Sequence, residues 1–530
     1  MNMSPQEDSH YDVAIVGAGV AGSTLGAILA RHGLAVLILD AGTHPRFVLG
    51  ESVIPYASVM MKVLAERYDV PELAALSNFR DTTERVSTMC GQKQNFGFVY
   101  HRHDRRPDPA LANQIVLPTW FRNESHWFRQ DIDAYLFTTA VRYGATHRLN
   151  TRVADIRIEA TAGVTLESTT GQCFRAKYLV DASGFNSLVA ERFGLREQPT
   201  RARTHSRTLF THMVGVAPFD EVSDIRYGQP NPWHNGTLHH IFEGGWLWVI
   251  PFDNHDRSRN PLCSVGLTLL DRTDPEQRPA PEREFEDFLR RFPAVARQFR
   301  DARTVRPWVS TGRLQNSVSR TVGDRYCLTA TAAGTVDALF SRGIANSFEI
   351  VNALARRIID AASENDWAMA RFADIDSMQQ RLFDAHDDLV YASYVAFRDY
   401  ELWNAMIRVW DTYSFYAAAS LEHALGKYVI SRDDSLFRGR EGGDSALARG
   451  LRELLVTART ICGAVERGEL DAGVAAGKLI DHLNAERFWP DYMPHGKPEI
   501  KFFDMNQELA MRVMHWSRTE APHRIRESFA

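Results

Sequence analysis

Apolar and polar positions follow three different patterns along this chain. Near the start, residues 13–16 form a short apolar run of strand length, and Leu25, Ile28 and Leu29 follow at the spacing of one helix face. Gly33 stands where a helix C-cap belongs, and residues 34–39 form a second apolar run closed by Asp40. Strand, helix, strand is therefore predicted across residues 11–40. KYLVDASG (177–184) and VGDRYCL (322–328) read as strands of the same kind, the latter beginning at Gly323 and Asp324. A second pattern occupies GGWLWVIP (244–251). Alternate strand residues share a face, so Trp246, Trp248 and Ile250 point one way and Leu247 and Val249 the other. Both faces are apolar, which predicts a strand buried on both sides, its pairing ended by Pro251. From about Glu349 the third pattern is helical. Residues 389–425 contain neither proline nor glycine and predict one long aromatic-rich helix. Residues 437–444 predict a loop between helices, and residues 101–110 a polar loop.

Composition narrows the picture. With 530 residues the chain is long enough for two or more domains. A net charge of −5 gives no reason to expect nucleic acid or an anionic membrane surface. Five scattered cysteines without a CxxC pair argue against a disulfide framework and against a zinc site, so no metal is expected. The polar, acidic opening MNMSPQEDSH lacks the basic region of a signal peptide, and no run of about 18 apolar residues would span a bilayer. A cytoplasmic protein without a membrane partner is the simple expectation.

Gly17, Gly19 and Gly22 complete G-x-G-x-x-G between the first strand and its helix. The first glycine permits the tight turn and the second lets backbone approach a pyrophosphate. The third lets helix and strand pack closely, with the helix N-terminus facing the phosphates. Asp40 stands at the distance from which a carboxylate accepts from ribose hydroxyls. Further on, Arg129, Asp133 and Leu136 fit R-x-x-x-D-x-x-L, and Asp181 opens D-A-S-G. With Gly323-Asp324, these segments resemble the glutathione-reductase-like FAD fold of single-component flavoprotein monooxygenases. The resemblance implies FAD rather than NAD, and places Asp324 against the flavin ribityl and pyrophosphate; alone, Asp324 would be a solvated turn acid. No second G-x-G-x-x-G offers a nicotinamide site, which leaves room for reduced flavin from a separate flavin reductase. The expected architecture is α/β: a Rossmann-like FAD-binding domain of the glutathione-reductase/monooxygenase type, a β-sheet substrate region and a helical C-terminal region. Residues 1–360 would form the core, with the substrate region interleaved at about 80–125 and 200–320, and residues 361–530 the helical part. The last hundred residues carry no functional reading beyond a lid or a homodimer surface.

Gly245, Trp246, Leu247, Trp248, Val249, Ile250 and Pro251 spell G-W-x-W-x-I-P, which resembles the signature of flavin-dependent halogenases. The resemblance implies that FADH2 and O2 oxidise a halide, chloride or bromide, to hypohalous acid. A lysine receives that oxidant at the end of a tunnel and presents it to an electron-rich arene. Lys93, in C-G-x-K-x-x-F, matches the phenol-acting members; the bland alternative is a surface lysine at a strand start. Arg46, Gly50, Glu51 and Ser52 match R-x-x-x-G-E-S near the flavin, with Glu51 alternatively a helix N-terminal acid. Residues 332–349 correspond to the glycine-rich halide segment: Gly334 on the flavin side, Ser341, Arg342 and Gly343 at the halide. Thr335 and Ala338 depart from the family's Phe and Pro there. Phe98, Trp403 and Trp410 are substrate-pocket candidates, although aromatic stripes more often form core. The implied substrate is a small phenolic or similar arene, free or tethered to a carrier protein. The rivals are an FAD-dependent aromatic hydroxylase on the same scaffold and a repurposed flavin-linked reductase.

Overall fold

In the computed structural model the buried strand His10–Val16 lies inside an eight-stranded sheet. Its order is Val322–Gly323, Tyr326–Leu328, Cys173–Asp181, His10–Val16, Val36–Leu39, Thr146–Arg148, with Val153–Glu159 and Gly163–Ser168 attached beside Cys173–Asp181. The structure describes residues 10–103, 105–117, 124–159, 163–271, 278–443 and 445–530. The opening residues 1–9, Asp104 of the polar loop and Asp444 lie outside the described residues. His10–Val16 runs parallel to both neighbours, and Tyr326–Leu328 runs parallel to Cys173–Asp181. The strand ends Val16, Leu39, Asp181 and Leu328 therefore lie along one edge, where parallel sheets place their ligands. Helix Val20–Arg31 packs against helices Arg129–Arg142 and Arg342–Glu364.

The second sheet has nine strands. Gly245–Pro251 lies between Thr237–Phe242 and Cys263–Leu270, antiparallel to both, and is buried throughout. Its two faces enter different cores: Trp246, Trp248 and Ile250 the largest cluster, Leu247 and Val249 a second one with Phe285 and Phe288. Gly266 faces Trp248 across the strands, where a Cβ would lie 1.9 Å from the indole. Pro251 is the last residue of the strand, and the ladder ends at its pairing with Cys263.

Two helical expectations need correction. The stretch 389–425 is broken, because helix Ala373–Ala396 ends and Asp399 caps a new helix, Tyr400–Ser431. The Asp399 carboxylate accepts from the amides of Glu401 (2.9 Å) and Leu402 (3.1 Å), so an N-cap interrupts the run without proline or glycine. Residues 437–441 belong to a helix, Ser435–Glu441, instead of a loop. The C-terminal region is helical as expected, and its strand Phe502–Asp504 joins the nine-stranded sheet parallel to Ala112–Val116. Among the described residues, no helix is long and apolar enough to cross a membrane.

Candidate active site

A cavity of about 780 Å³ opens at the C-terminal edge of the eight-stranded sheet, in the size range of cofactor sites. Glycines and helix starts shape one side of it. Gly17 has φ +108°, and a Cβ there would sit 2.3 Å from Ala182 O. Gly22 packs helix on turn: its Cβ would meet Gly17 O at 2.0 Å. Asp40 accepts from the amides of Ala18 (2.7 Å) and Gly42 (2.8 Å) and from Arg46 (2.5 Å). Burial alone would raise this carboxyl; those three donors outweigh it and hold it below its ordinary value. Two helices present their first turns to the same space, Val20–Arg31 through Val20 and Arg342–Glu364 through Gly343 and Ile344. Glycine approach, helix N-termini and a ribose-side acid fit a dinucleotide with a pyrophosphate.

Lys93 ends a short strand, Gly91–Lys93, paired antiparallel with Glu124–His126. It is fully buried, not a surface lysine. Nζ donates to Ser52 Oγ and Val53 O, both at 2.7 Å, and lies 3.6 Å from the Phe96 ring centroid. Burial pushes its pKa well below the ordinary lysine value, with Glu124 opposing only in part. A neutral amine has two N–H groups; both can be satisfied here, and the lone pair is left for an electrophile. Burial also raises the Glu124 carboxyl to about 7.

Three more residues continue from Lys93. Ser52 Oγ lies 2.9 Å from Thr237 Oγ1, which lies 3.0 Å from His126 Nε2. His126 Nδ1 lies 2.8 Å from Pro251 O. A carbonyl only accepts, so Nδ1 carries the hydrogen and Nε2 accepts from Thr237. Burial drives the His126 pKa down to about 3, so the ring is neutral near pH 7. A directed chain results: Lys93 donates to Ser52, Ser52 to Thr237, Thr237 to His126.

Phe96 also lines an apolar cavity of about 60 Å³, together with Ile54, Leu117, Trp410, Ser414 and His495 among others. An aromatic ring needs more room than this, and flexible Met493 and Met505 on its wall can provide it. One short segment joins all three places. Leu49 and Gly50 line the large cavity, Ser52 and Val53 hold Lys93, and Ile54, Pro55 and Tyr56 line the small one.

Comparison with known proteins gives the family. A model of the FAD binding domain matches residues 10–287. The chain is 42% identical over 534 residues to the tetracycline 7-halogenase of Kitasatospora aureofaciens, covering 99% of this chain and 95% of that one. It is 40% identical over 536 residues to the monodechloroaminopyrrolnitrin halogenase PrnC of Pseudomonas fluorescens, covering 99% and 94%. The chain belongs to the flavin-dependent halogenases. The crystal structure of halogenase PltM in complex with phloroglucinol and FAD matches it with a TM-score of 0.88 at 32% identity, over 93% of this chain and 99% of that one. This halogenase is thus an FAD-binding oxidoreductase that uses halide and O2, and the hydroxylase rival is set aside.

The structure brings some of the singled-out residues together and separates others. Gly17, Gly19, Asp40, Arg46, Arg129, Gly334 and Gly343 line the large cavity. Arg129 pairs with Asp133 (2.8 Å) and donates to Gly50 O, fixing the segment that leads to Lys93. Asp181 sits behind the wall, accepting from Ser183 and Ser187, and so shapes the lining residues Ala182 to Gly184. Asp324 is misplaced by the sequence reading. It is exposed in the turn between Val322–Gly323 and Tyr326–Leu328, at the N-terminal end of the latter strand, while the cavity lies at the other end. The residues that meet the cavity there are Ala330 and Thr331. Glu51 is neither at the flavin cavity nor a helix-start acid: buried, it contacts His212 Nε2 at 2.6 Å. Ser52 belongs to Lys93.

Around the glycine-rich segment, Ser341 takes φ +53° just before helix Arg342–Glu364. Arg342 turns away from the large cavity, its guanidinium 5.4 Å from the Tyr56 ring and 5.1 Å from Tyr413. Phe98 and Trp403 are core, Phe98 stacked on His239 at 4.5 Å; only Trp410 of the three pocket candidates reaches the small cavity. Trp246 and Trp248 line neither cavity. Trp246 Nε1 donates to Tyr394 Oη (3.1 Å), which donates to Asp337 (3.0 Å) on the wall of the large one. His126, Thr237, Asp411 and His495 went unnoticed in the sequence. His126 opens the very H-W-F-R run that carries Arg129, and a histidine there was the available signal.

Proposed function

We propose that this halogenase acts on a small phenolic or similarly electron-rich arene, free or presented on a carrier protein, with Lys93 delivering the halogen. A separate flavin reductase supplies FADH2. FADH2, when bound, would reduce O2 by two electrons to the peroxide level, and that oxidant would take two electrons from chloride or bromide to give hypohalous acid. Lys93 Nζ, neutral in its buried seat, receives that acid by hydrogen bonding, or exchanges N–H for N–X with release of water. Ser52, Thr237 and His126 position the amine, and in the exchange the N–H proton leaves with the hydroxyl of hypohalous acid as water. Gly343, in the first turn of helix Arg342–Glu364, offers its backbone N–H to the halide. The arene occupies the small cavity that Phe96 lines, where its oxygen already raises electron density at ortho and para carbons and positioning selects the carbon. Enclosure keeps the oxidant from water.

The observation that carries this reading is the placement of Lys93, fully buried and tied to the short segment that lines both cavities. The relatives' names and the phloroglucinol complex of PltM support an aromatic substrate. The test combines the protein with FAD, a flavin reductase, NADH, O2, bromide or chloride, and a panel of phenols and indoles, read by mass. Halogen isotope patterns that vanish in Lys93→Ala while FAD stays bound are expected. Products heavier by one oxygen and independent of halide would overturn the reading.

A further inference from the structure

The small cavity has one polar corner in an otherwise apolar wall, and the C-terminal region supplies it. His495, in the turn Pro494–Gly496, is 1% exposed. Its Nε2 lies 2.7 Å from Asp411 Oδ2, and the ring stacks on Trp489 at 3.8 Å between centroids. An ionised carboxylate only accepts, so Nε2 carries the hydrogen and Nδ1 is left bare. That Nδ1 is buried and has no hydrogen-bond partner among the described residues, and neither has Ser414 Oγ on the same cavity. A bare buried acceptor costs about 1–3 kcal/mol unless a ligand satisfies it. The carboxylate–imidazole pair with one free nitrogen is also the arrangement of a general base.

We propose that His495, oriented by Asp411, accepts the hydroxyl proton of the arene as the ring takes the halogen. This rests on the small cavity being the arene site. The O–H bond breaks toward Nδ1 and its electron pair moves into the ring. The ring carbon bonds the halogen as the halogen–oxygen bond of hypohalous acid, held at Lys93, breaks. The hydroxide released and the proton lost from the same ring carbon leave as water, and His495 returns its proton to the product oxygen. The ring is oxidised by two electrons and the halogen reduced by two, so that phenol plus hypohalous acid gives halophenol plus water. Burial keeps the imidazole below its ordinary pKa despite Asp411, hence in the accepting form. The other charged neighbours are Arg408, which donates to Pro494 O at 2.8 Å, and Asp504 on the cavity wall. The substrate class follows: a ring with a free hydroxyl, in preference to its methyl ether.

The experiment compares a phenol with its methyl ether in the FAD- and reductase-loaded enzyme and in His495→Gln, Asp411→Asn and Ser414→Phe. Hypohalous acid formation is followed separately with a dissolved β-diketone trap. Glutamine keeps a donor for Asp411 but cannot take up a proton. His495→Gln should cost phenol turnover about 10²–10³-fold while ether turnover and trap halogenation move less than about threefold. Asp411→Asn should cost phenol turnover about tenfold. As a readout without turnover, the absorption of bound 4-nitrophenol should shift to longer wavelength in the parent protein, where its hydroxyl donates to Nδ1, and lose that shift in His495→Gln. Equal losses on phenol and ether, or none, would overturn the proposal, since a wall residue acts on both rings alike. Phenol turnover undiminished in Ser414→Phe would overturn the cavity reading itself. A Ser414→Phe loss with His495→Gln unchanged would overturn only the base.

Discussion

The nucleotide cradle and the lysine seat lie a few residues apart along one segment and are built in opposite ways. The cradle is backbone: Gly17, Gly19, two helix starts and the amides that Asp40 accepts from. Its glycine turn comes from one continuous window of about thirty residues, which is what a strand, a turn and a helix require, while the rest of its wall is gathered from later segments. The lysine seat is side chain: Ser52, Lys93, His126 and Thr237 converge from four separate segments, with the Pro251 carbonyl from a fifth. Backbone sites advertise themselves by glycine spacing. Side-chain sites depend on how strands are registered, and that is not written locally.

The largest expected effect separates the two directly. Lys93→Met should lower halogenation by at least about 10²–10⁴-fold with FAD affinity unchanged, measured by product mass and flavin titration. Gly17→Ala should do the reverse. The φ of +108° and the approach of Ala182 O leave no room for a methyl, and strain of about 1–3 kcal/mol weakens FAD binding roughly 5- to 150-fold. Loss of FAD in Lys93→Met, or full FAD affinity in Gly17→Ala, would break the division between cradle and seat.

The same contrast explains what the sequence disclosed. The glycine triplet, the acid after the second strand and the doubly buried tryptophan strand follow from local spacing, and the structure has Gly17 in the tight turn, Asp40 after Val36–Leu39 and Gly245–Pro251 buried throughout. Asp324 failed because the Gly-Asp pair was judged without the strand's direction; it sits in the turn before Tyr326–Leu328, and the cavity lies after it. Ser52 was recognised as part of G-E-S but assigned to the flavin, since its hydroxyl partner Thr237 is 185 residues away. His495 and Asp411 meet across 84 residues, one of them from a region with no recognisable pattern at all.

A smaller effect probes the chain of hydrogen bonds behind Lys93. Thr237→Val removes one link at nearly constant volume and should cost turnover about tenfold, the worth of a single hydrogen bond in a buried network. Thr237→Ser should restore most of it. A valine variant as active as the parent would reduce Ser52, Thr237 and His126 to packing.

The subtlest effect is on stability, and it tests whether the seat is bought at the expense of the fold. Lys93 is buried with a pKa held below its ordinary value, so the unfolded chain binds more protons than the folded one at pH values below about 10.5. Folding stability contributed by this group therefore falls as pH drops from that value toward the lowered folded pKa. His126 has the same sign in a lower window: its contribution is intact above about 6.5 and is lost as pH falls toward about 3. Each slope is at most about 1.4 kcal/mol per pH unit. Lys93→Met should stabilise the inactive protein near pH 7 by about 1–4 kcal/mol, because an apolar side chain of similar length replaces a desolvated amine. It should also flatten the alkaline slope. His126→Gln should flatten only the acid one, and Gly17→Ala should lower the whole curve without changing either slope. Chemical denaturation across pH measures all three. A Lys93→Met protein no more stable than the parent at pH 7 would mean that Ser52, Val53 and Phe96 repay the burial of the amine in full, and that the seat costs the fold nothing.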